Sequence, residues 1–255
     1  MVLQTKKVLI TVKAPPNPSK KHQETNCCAG IDIDSGCMVR LYPIPFRLLD
    51  YSKKFPKYCI ITVRCYKPSR DKRIESYKVD QDSIQIIRSI NTKNKWEERK
   101  RIVLPVLSAS FCRILDNIEL NKSLGLFKPV DICFESKKSY SKKNHKSKSS
   151  YAQHTLFDRK LEPLAKIPFN FYYKFKCHDL PTCPGHKLKI HDWELSAAFR
   201  KWQDKYDSQE ILLEKVKEKW LDTMCSNKRE TYFYVGNMWQ HPKQFMVLGV
   251  FWPPK

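Results

Sequence analysis

The chain has 255 residues, of which 41% are hydrophobic and 12% aromatic, so it can bury a core and is not a disordered protein. Its 48 Lys and Arg residues outnumber 26 Asp and Glu residues, which gives a formal net charge of +22. A field of this sign attracts polyanions, and nucleic acid is the commonest of them. The alternative explanation is a genome whose codons favour Lys in every protein.

The N-terminal residues MVLQTKKVLITV lack the apolar core and cleavage site of a signal peptide. No apolar run approaches the roughly 18 residues of a membrane span. The sequence therefore predicts a soluble, cytoplasmic protein without membrane contact, in which the ten cysteines are reduced thiols.

Residues 1–90 are predicted to form closely spaced strands. Lys7–Lys13 and Lys57–Tyr66 are rich in β-branched residues, and Cys27–Ile33 and Cys37–Tyr42 flank a short polar turn, as in a hairpin. Strands at this spacing predict a small, OB-like β-barrel unit.

A candidate nucleic-acid-binding segment follows the hairpin. In RLYPIPFR, Arg40 and Arg47 flank two aromatic residues, and Arg with aromatic side chains on a β surface is typical of single-strand platforms. Leu41 and Phe46 fit a core role equally well. Arg40 and Arg47 are therefore the candidate contacts to nucleic acid.

Residues 91–136 are predicted to contain a helical connection and a strand, before a segment of different character. Lys137–Ser150 is rich in Lys and Ser and has almost no apolar residue, which predicts a flexible loop. It is either a passive loop or a basic arm that contacts phosphates through Lys142, Lys143 and Lys146.

Residues 151–255 are predicted to form a C-terminal α+β unit of the strand-helix-helix-strand type. Its predicted elements are the strand Phe169–Cys177, the helices Trp193–Tyr206 and Ser208–Cys225, and the strands Glu230–Val235 and Phe245–Trp252. The fold class expected for the whole chain is therefore α+β.

A cysteine-histidine cluster in this unit is the most specific local pattern. Cys177, Cys183 and His186 lie within ten residues and could converge on one tetrahedral zinc ion, with His191 as the fourth ligand or with His178, Asp179 or Asp192 in its place. The spacing differs from the usual two-residue gap between paired cysteines, so core thiols and surface histidines without a metal are the alternative. Four protein ligands would make the site structural, whereas three and a water could make it catalytic.

Two further motifs admit a functional interpretation. Asp192 suits the N-cap of the following helix, or Asp192, Glu194 and His241 could be metal ligands of a phosphodiester-cleaving site. In the loop GNMWQHP, Gly236 and Asn237 fit a turn, while Trp239 and His241 are either exposed for base stacking or packed in a closed hairpin.

Two resemblances bear on these patterns. Cys28-Ala-Gly-Ile-Asp32, with Gly36 and Val39-Arg-Leu-Tyr-Pro43, resembles the opening of bacterial dual-OB-type domains over residues 6–66. The whole chain resembles an uncharacterised family of small bacterial proteins with a CxGH…DWE segment, here Cys183 to Glu194, and a VGN…HP loop. The resemblance implies an OB-like barrel and a role linked to nucleic acid, in a defence or mobile-element system.

We therefore expect a nucleic-acid-binding protein without catalytic activity, with DNA and RNA both open. Two alternatives are a metal-dependent nuclease and a protein-interaction subunit of a larger complex that binds an acidic protein partner.

Overall fold

The computed structural model of the chain describes residues 2–19, 21–139 and 161–255. The candidate arm residues Lys142, Lys143 and Lys146 lie outside them, with most of the predicted flexible loop. The described residues form a mixed α+β protein with two sheets and few helices, as the fold class predicted. Within these ranges, no helix has both the length and the apolar character that a membrane crossing requires.

The N-terminal part contains a closed barrel, as predicted. Pairing runs in the order β1-β3-β4-β6-β5, and β1 also pairs with β5, which closes these five strands. β4 and β6 are parallel and the other pairs are antiparallel. The strands of this sheet are β1 (Gln4–Lys13), β2 (Asn17–Ser19), β3 (Gln23–Asp32), β4 (Met38–Ile44), β5 (Cys59–Tyr66), β6 (Ser76–Val79) and β7 (Gln85–Ser89).

The barrel strands have continuous apolar runs because both of their faces are buried. On β1, Val8 and Ile10 point into the barrel, while Leu9 and Val12 pack against the C-terminal part of the chain. At the β1–β3 contact, a Cβ added to Gly30 would clash with the carbonyl oxygen of Leu9, so glycine is required there.

The second sheet has six strands in the order β8-β12-β13-β11-β10-β9, with β11 and β13 parallel. Its strands are β8 (Leu124–Phe127), β9 (Pro129–Lys138), β10 (Phe169–Cys177), β11 (His186–Ile190), β12 (Tyr232–Met238) and β13 (His241–Phe251). The helices are α1 (Lys93–Val103), α2 (Phe111–Asp116), α3 (Trp193–Trp202) and α4 (Gln209–Lys217), and a π-helical turn, Glu218–Thr223, follows α4.

The second sheet lies between the barrel and the helices α2, α3 and α4, whereas α1 packs on the barrel side of the sheet. Because side chains alternate along a strand, Phe233 and Val235 of β12 pack towards the helices, whereas Tyr232 and Tyr234 pack against the barrel. The apolar cluster between the sheet and the barrel combines residues of both parts of the chain. The barrel therefore presents only part of its outer face to solvent.

Candidate functional site

A cavity of ≈ 750 Å³ lies where the outer face of β3 and β4 meets the tip of the β12–β13 hairpin. Two barrel connections complete its walls. They are the described residues of segment 14–22 between β1 and β3, which include β2, and segment 67–75 between β5 and β6. We call this space the barrel cavity. Its volume falls within the usual range of ligand sites.

Basic side chains dominate the charge of the barrel cavity. Among the described residues that line it, Asp71 is the one carboxylate, against five basic side chains: Lys21, Arg40, Arg70, Arg73 and Lys78. Lys21, Arg70 and Lys78 are exposed. These three exposed cations come from segment 14–22, segment 67–75 and β6, so an anionic ligand could contact several of them at once.

Arg40 lies at the floor of the cavity and is only 5% exposed. Its Nη2 donates to Oγ of Ser123 at 2.9 Å and to the carbonyl oxygen of the same residue at 3.0 Å. The Ser123 hydroxyl in turn donates to Oε2 of Glu75 at 2.9 Å. Arg40 therefore lines the cavity, and its guanidinium also joins β4 to the segment that precedes β8.

Arg73 connects the 67–75 segment to the hairpin. Its Nη1 donates to the carbonyl oxygen of Asn237 at 3.0 Å, while its Nη2 pairs with Oδ2 of Asp71 at 2.7 Å. Asn237 is 4% exposed, and its Nδ2 donates to the carbonyl oxygen of Pro242 at 2.8 Å. The position of the hairpin over the cavity is thus fixed from the barrel side.

The aromatic side chains at the rim are open to solvent. Trp239 is 52% exposed at the two-residue turn of the hairpin, and Tyr42 of β4 is 48% exposed. His241 also lines the cavity and is exposed. Trp239 and His241 therefore have the exposure that base stacking requires, which their sequence context left open.

Arg47 lies outside the barrel cavity. Its Nη1 is 3.3 Å from Oε2 of Glu24, and its Nη2 donates to the carbonyl oxygen of Glu162 at 2.7 Å. These contacts tie the segment after β4 to β3 and to Glu162, which lies near the start of the last described range. The structure thus separates Arg40 and Arg47, which the sequence analysis treated as a pair.

Asp192 and Glu194 belong to a charge cluster around Lys57, in which Lys57 and Asp192 are buried and Glu194 is half-exposed. The Lys57 Nζ is 3.7 Å from Oδ2 of Asp192 and 2.9 Å from Oε2 of Glu194. Asp192 also caps α3, because its Oδ1 accepts from the Glu194 N–H at 2.9 Å. His241 begins β13, whereas Asp192 lies beside Gly249 of the same strand, about 26 Å away at the rise of an extended strand. The structure does not bring His241 together with the two carboxylates.

A second site is built from three cysteines and one histidine. The ligand atoms of Cys112, Cys177, Cys183 and His186 all lie within 4.8 Å of one another. Cys112 Sγ is 3.2 Å from His186 Nε2 and 4.0 Å from Cys183 Sγ, and Cys183 Sγ is 3.4 Å from His186 Nε2. This Cys3His cluster is compatible with a metal ion such as zinc.

The environment of the Cys3His cluster shifts its ionisation. Burial and the neighbouring thiols raise the pKa of Cys112 to about 12. Burial also raises the pKa of Cys183, but hydrogen bonds from the backbone N–H groups of Cys177 and Gly185 and from the thiols of Cys177 and Cys112 together outweigh it, so the net pKa lies below its usual value. Burial lowers the pKa of His186, which favours the neutral imidazole that a metal binds.

The fourth member of this cluster is Cys112 and not His191. His186 begins β11 and His191 directly follows its last residue, so His191 lies five positions after His186. An odd separation along a strand puts the two side chains on opposite faces, about 16 Å apart. His191 lines the barrel cavity instead, where burial and the charge of Lys189 lower its pKa to about 4.

Sequence reasoning missed the basic residues of the 67–75 segment, Arg70 and Arg73. The stretch KPSRDKRIE between two strands carries four basic residues, which could have marked it as a phosphate-binding loop. Cys112 had no comparable signal, because its partners lie more than sixty residues further along the chain.

Comparison with known families follows the two parts of the structure. A search of curated proteins finds no match. Residues 4–105, which contain the barrel, match the family described as Domain of unknown function (DUF8758). Residues 107–255, more than half of the chain, match a second family, and the chain therefore belongs to the family described as Domain of unknown function (DUF8757).

Proposed function

We propose that this protein binds single-stranded nucleic acid in the barrel cavity and does not catalyse a reaction on it. The observation that carries the proposal is the position of the cavity on the barrel. Counted along the chain, β3 and β4 are the second and third barrel strands, and segments 14–22 and 67–75 are the loops between strands one and two and between strands four and five. OB-folds bind oligonucleotides on this face and with these two loops.

The strand order supports an OB-like interpretation of the barrel. β5, β1, β3 and β4 lie side by side in that order, which is the Greek-key arrangement of a fourth strand returning beside the first. β6 then closes the barrel between β4 and β5. A five-stranded Greek-key barrel is the architecture of the OB-fold.

The chemistry of the cavity fits a single strand. Lys21, Arg70 and Lys78 are exposed cations that can neutralise phosphates, and Trp239 and Tyr42 offer ring faces on which bases stack. A concave site encloses unstacked bases, whereas duplex DNA is read by elements that protrude into its grooves. The geometry therefore favours single strands over duplexes.

The same geometry favours binding over cleavage. Asp192 and Glu194 are held by Lys57, and the two carboxylates lie far from His241 along β13. Hydrolysis by a metal-dependent nuclease needs carboxylates that converge on an ion beside the substrate. These three residues do not form such a set.

The test is fluorescence anisotropy with labelled single-stranded DNA, single-stranded RNA and duplex DNA over a series of salt concentrations. We expect the single strands to bind more tightly than the duplex. Trp239→Ala should weaken single-strand binding about 5- to 150-fold, the range for one stacked base. The matched control is Tyr51→Ala, since Tyr51 is a 92% exposed aromatic residue outside the cavity lining.

Two results would contradict the proposal. One is an absence of binding to all three probes at low salt. The other is an equal effect of Trp239→Ala and Tyr51→Ala, which would mean that the barrel cavity is not the binding site.

A further inference from the structure

The Cys3His cluster lies apart from the barrel cavity and has no part in the proposed binding. We propose that it holds one Zn²⁺ ion as a closed structural site, with Cys112, Cys177, Cys183 and His186 as its four ligands. The inference rests on three observations: the distances between the ligand atoms, the elements that supply them, and their packing against the core.

The distances match the edges of a zinc tetrahedron. With Zn–S bonds of about 2.3 Å and a Zn–N bond of about 2.0 Å, two sulfurs are about 3.8 Å apart and a sulfur and a nitrogen about 3.5 Å apart. The corresponding separations are 4.0 Å for Cys112 and Cys183, 3.2 Å for Cys112 and His186, and 3.4 Å for Cys183 and His186. The Sγ of Cys177 lies within 4.8 Å of these three atoms. The four ligand atoms thus surround one position that a single ion could occupy.

Three secondary-structure elements and one connection supply the ligands. Cys112 is the second residue of α2, Cys177 ends β10, and His186 begins β11. Cys183 lies in the connection between these two strands. The backbone of this connection has a φ of +80° at Gly185, a conformation that glycine adopts without strain. The ion would therefore join α2 to the β10–β11 connection.

The connection between β10 and β11 has little packing of its own to hold it. The residues between Cys177 and His186 are half-buried or exposed. α2 has six residues, too few for a stable isolated helix. A four-ligand ion supplies the missing stabilisation, as it does in other small structural zinc sites.

The core side of the site is apolar and aromatic. The His186 ring lies 4.9 Å from the ring of Phe111 and 5.4 Å from that of Phe175, centroid to centroid, and Cys177 is 5% exposed. With all four positions taken by protein ligands, no position remains for a catalytic water. Three sulfurs and one nitrogen in a tetrahedron favour zinc over the harder cations Mg²⁺ and Ca²⁺.

A disulfide is the competing use of these thiols. Cys112 and Cys183 are unbonded at 4.0 Å, well beyond the roughly 2.05 Å of an S–S bond, and all ten cysteines are free. Oxidation of two of the thiols would leave the third thiol and His186 without a common partner. Zinc instead engages all four groups.

The test measures metal content by mass spectrometry in the full chain purified under reducing conditions. We expect about one zinc per chain, lost on dialysis from Cys112→Ser and retained by Cys133→Ser, since Cys133 is an exposed cysteine outside the cluster. Substitution with Co²⁺ should give the visible bands of a tetrahedral thiolate site.

A second pair of variants covers the case in which Cys112→Ser does not fold. His186→Cys keeps four ligands and should retain the metal with shifted Co²⁺ bands, whereas His186→Ala should lose it. Wild-type protein that takes up neither zinc nor Co²⁺ on reconstitution would overturn the assignment. So would a zinc content that is the same in Cys112→Ser and Cys133→Ser. Neither result depends on nucleic-acid binding, so the two proposals can fail separately.

Discussion

Lys57 and Asp192 face each other across the contact between the barrel and the second sheet, with Nζ 3.7 Å from Oδ2. The Lys57 side chain is 6% exposed and that of Asp192 is 3% exposed. Lys57 precedes β5, and Asp192 caps α3, so the pair joins the two parts that match separate families. Burial would lower the pKa of Lys57, but the charges of Asp192 and Glu194 outweigh it and raise the pKa above its usual value.

Replacing Lys57 should destabilise the fold severely. Lys57→Met leaves two carboxylates without their cation, and removal of one partner of a buried ion pair costs about 3–5 kcal/mol. We expect the lower end, about 3 kcal/mol, because Asp192 can take up a proton. Urea unfolding at neutral pH measures the effect. Lys53→Met is the control, since the Lys53 Nζ is 3.8 Å from an Asp82 carboxylate that is 87% exposed. This variant should change the free energy of unfolding by less than about 1 kcal/mol.

Asp192 should make stability fall as the pH rises through about 6. Burial raises its pKa from 3.8 to about 6, against the opposing charge of Lys57. The folded state then holds the proton more tightly than the unfolded chain, so protonation of Asp192 stabilises the fold. This stabilisation is complete below pH of about 4 and is lost as the pH rises through about 6. In this window, the unfolding free energy of the wild type should fall, relative to Asp192→Asn, by up to about 1.4 kcal/mol per pH unit.

The amide of Asp192→Asn can still cap α3, so the variant tests the charge and not the cap. Asp116→Asn, at a side chain that is 62% exposed, is the control. Parallel stability profiles of wild type and Asp192→Asn between pH 4 and 7 would contradict this assignment.

Local sequence patterns were sufficient to predict those elements whose secondary structure follows from a run of apolar residues or from a capping residue. β1 and β5 follow from β-branched runs, and Asp192 as a helix cap follows from its position before α3. The strand β8 was missed, because its residues Leu124–Phe127 are a four-residue apolar run that sequence alone does not distinguish from a loop.

Contacts between distant segments could not be predicted, because they depend on how the sheets pack. Cys112 joins His186, and Arg73 joins Asn237, only after the barrel and the second sheet are in place. Gly236 was expected to serve a turn but lies within β12, where an added Cβ would be 2.7 Å from Cδ1 of Leu248 and 2.9 Å from Cδ2 of Leu124. Its role is close packing between neighbouring strands and not backbone freedom.

Arg73 should act on binding by positioning the hairpin. Arg73→Ala removes the hydrogen bond to Asn237, so the tip of the hairpin is less ordered in the free protein. Ligand binding must then order it, and this cost should weaken single-strand affinity about 2- to 10-fold. Hydrogen exchange of residues 236–242 in the free protein should become faster. Arg64→Ala is the control, since Arg64 pairs with Asp80 at 2.7 Å and does not line the cavity. Weaker binding with unchanged exchange would mean that Arg73 contacts the ligand directly.

The number of phosphates held in the barrel cavity should appear in the salt dependence of binding. Each phosphate contact to a single strand contributes about 0.7 to the slope of log affinity against log salt concentration. If Arg70 and Lys78 each hold one phosphate, the double variant Arg70→Ala/Lys78→Ala should reduce that slope by about 1.4. The same anisotropy titration measures both proteins.

The matched control removes the same charge elsewhere. Lys201→Ala/Lys217→Ala also lowers the net charge by two, but these residues lie on α3 and α4 and do not line the cavity. An unchanged slope in this control would show that the cavity, and not the formal charge of +22, determines binding. Equal losses in both double variants would instead mean that the Lys-rich surface attracts nucleic acid without a defined site, because a diffuse positive field responds to total charge and not to its position.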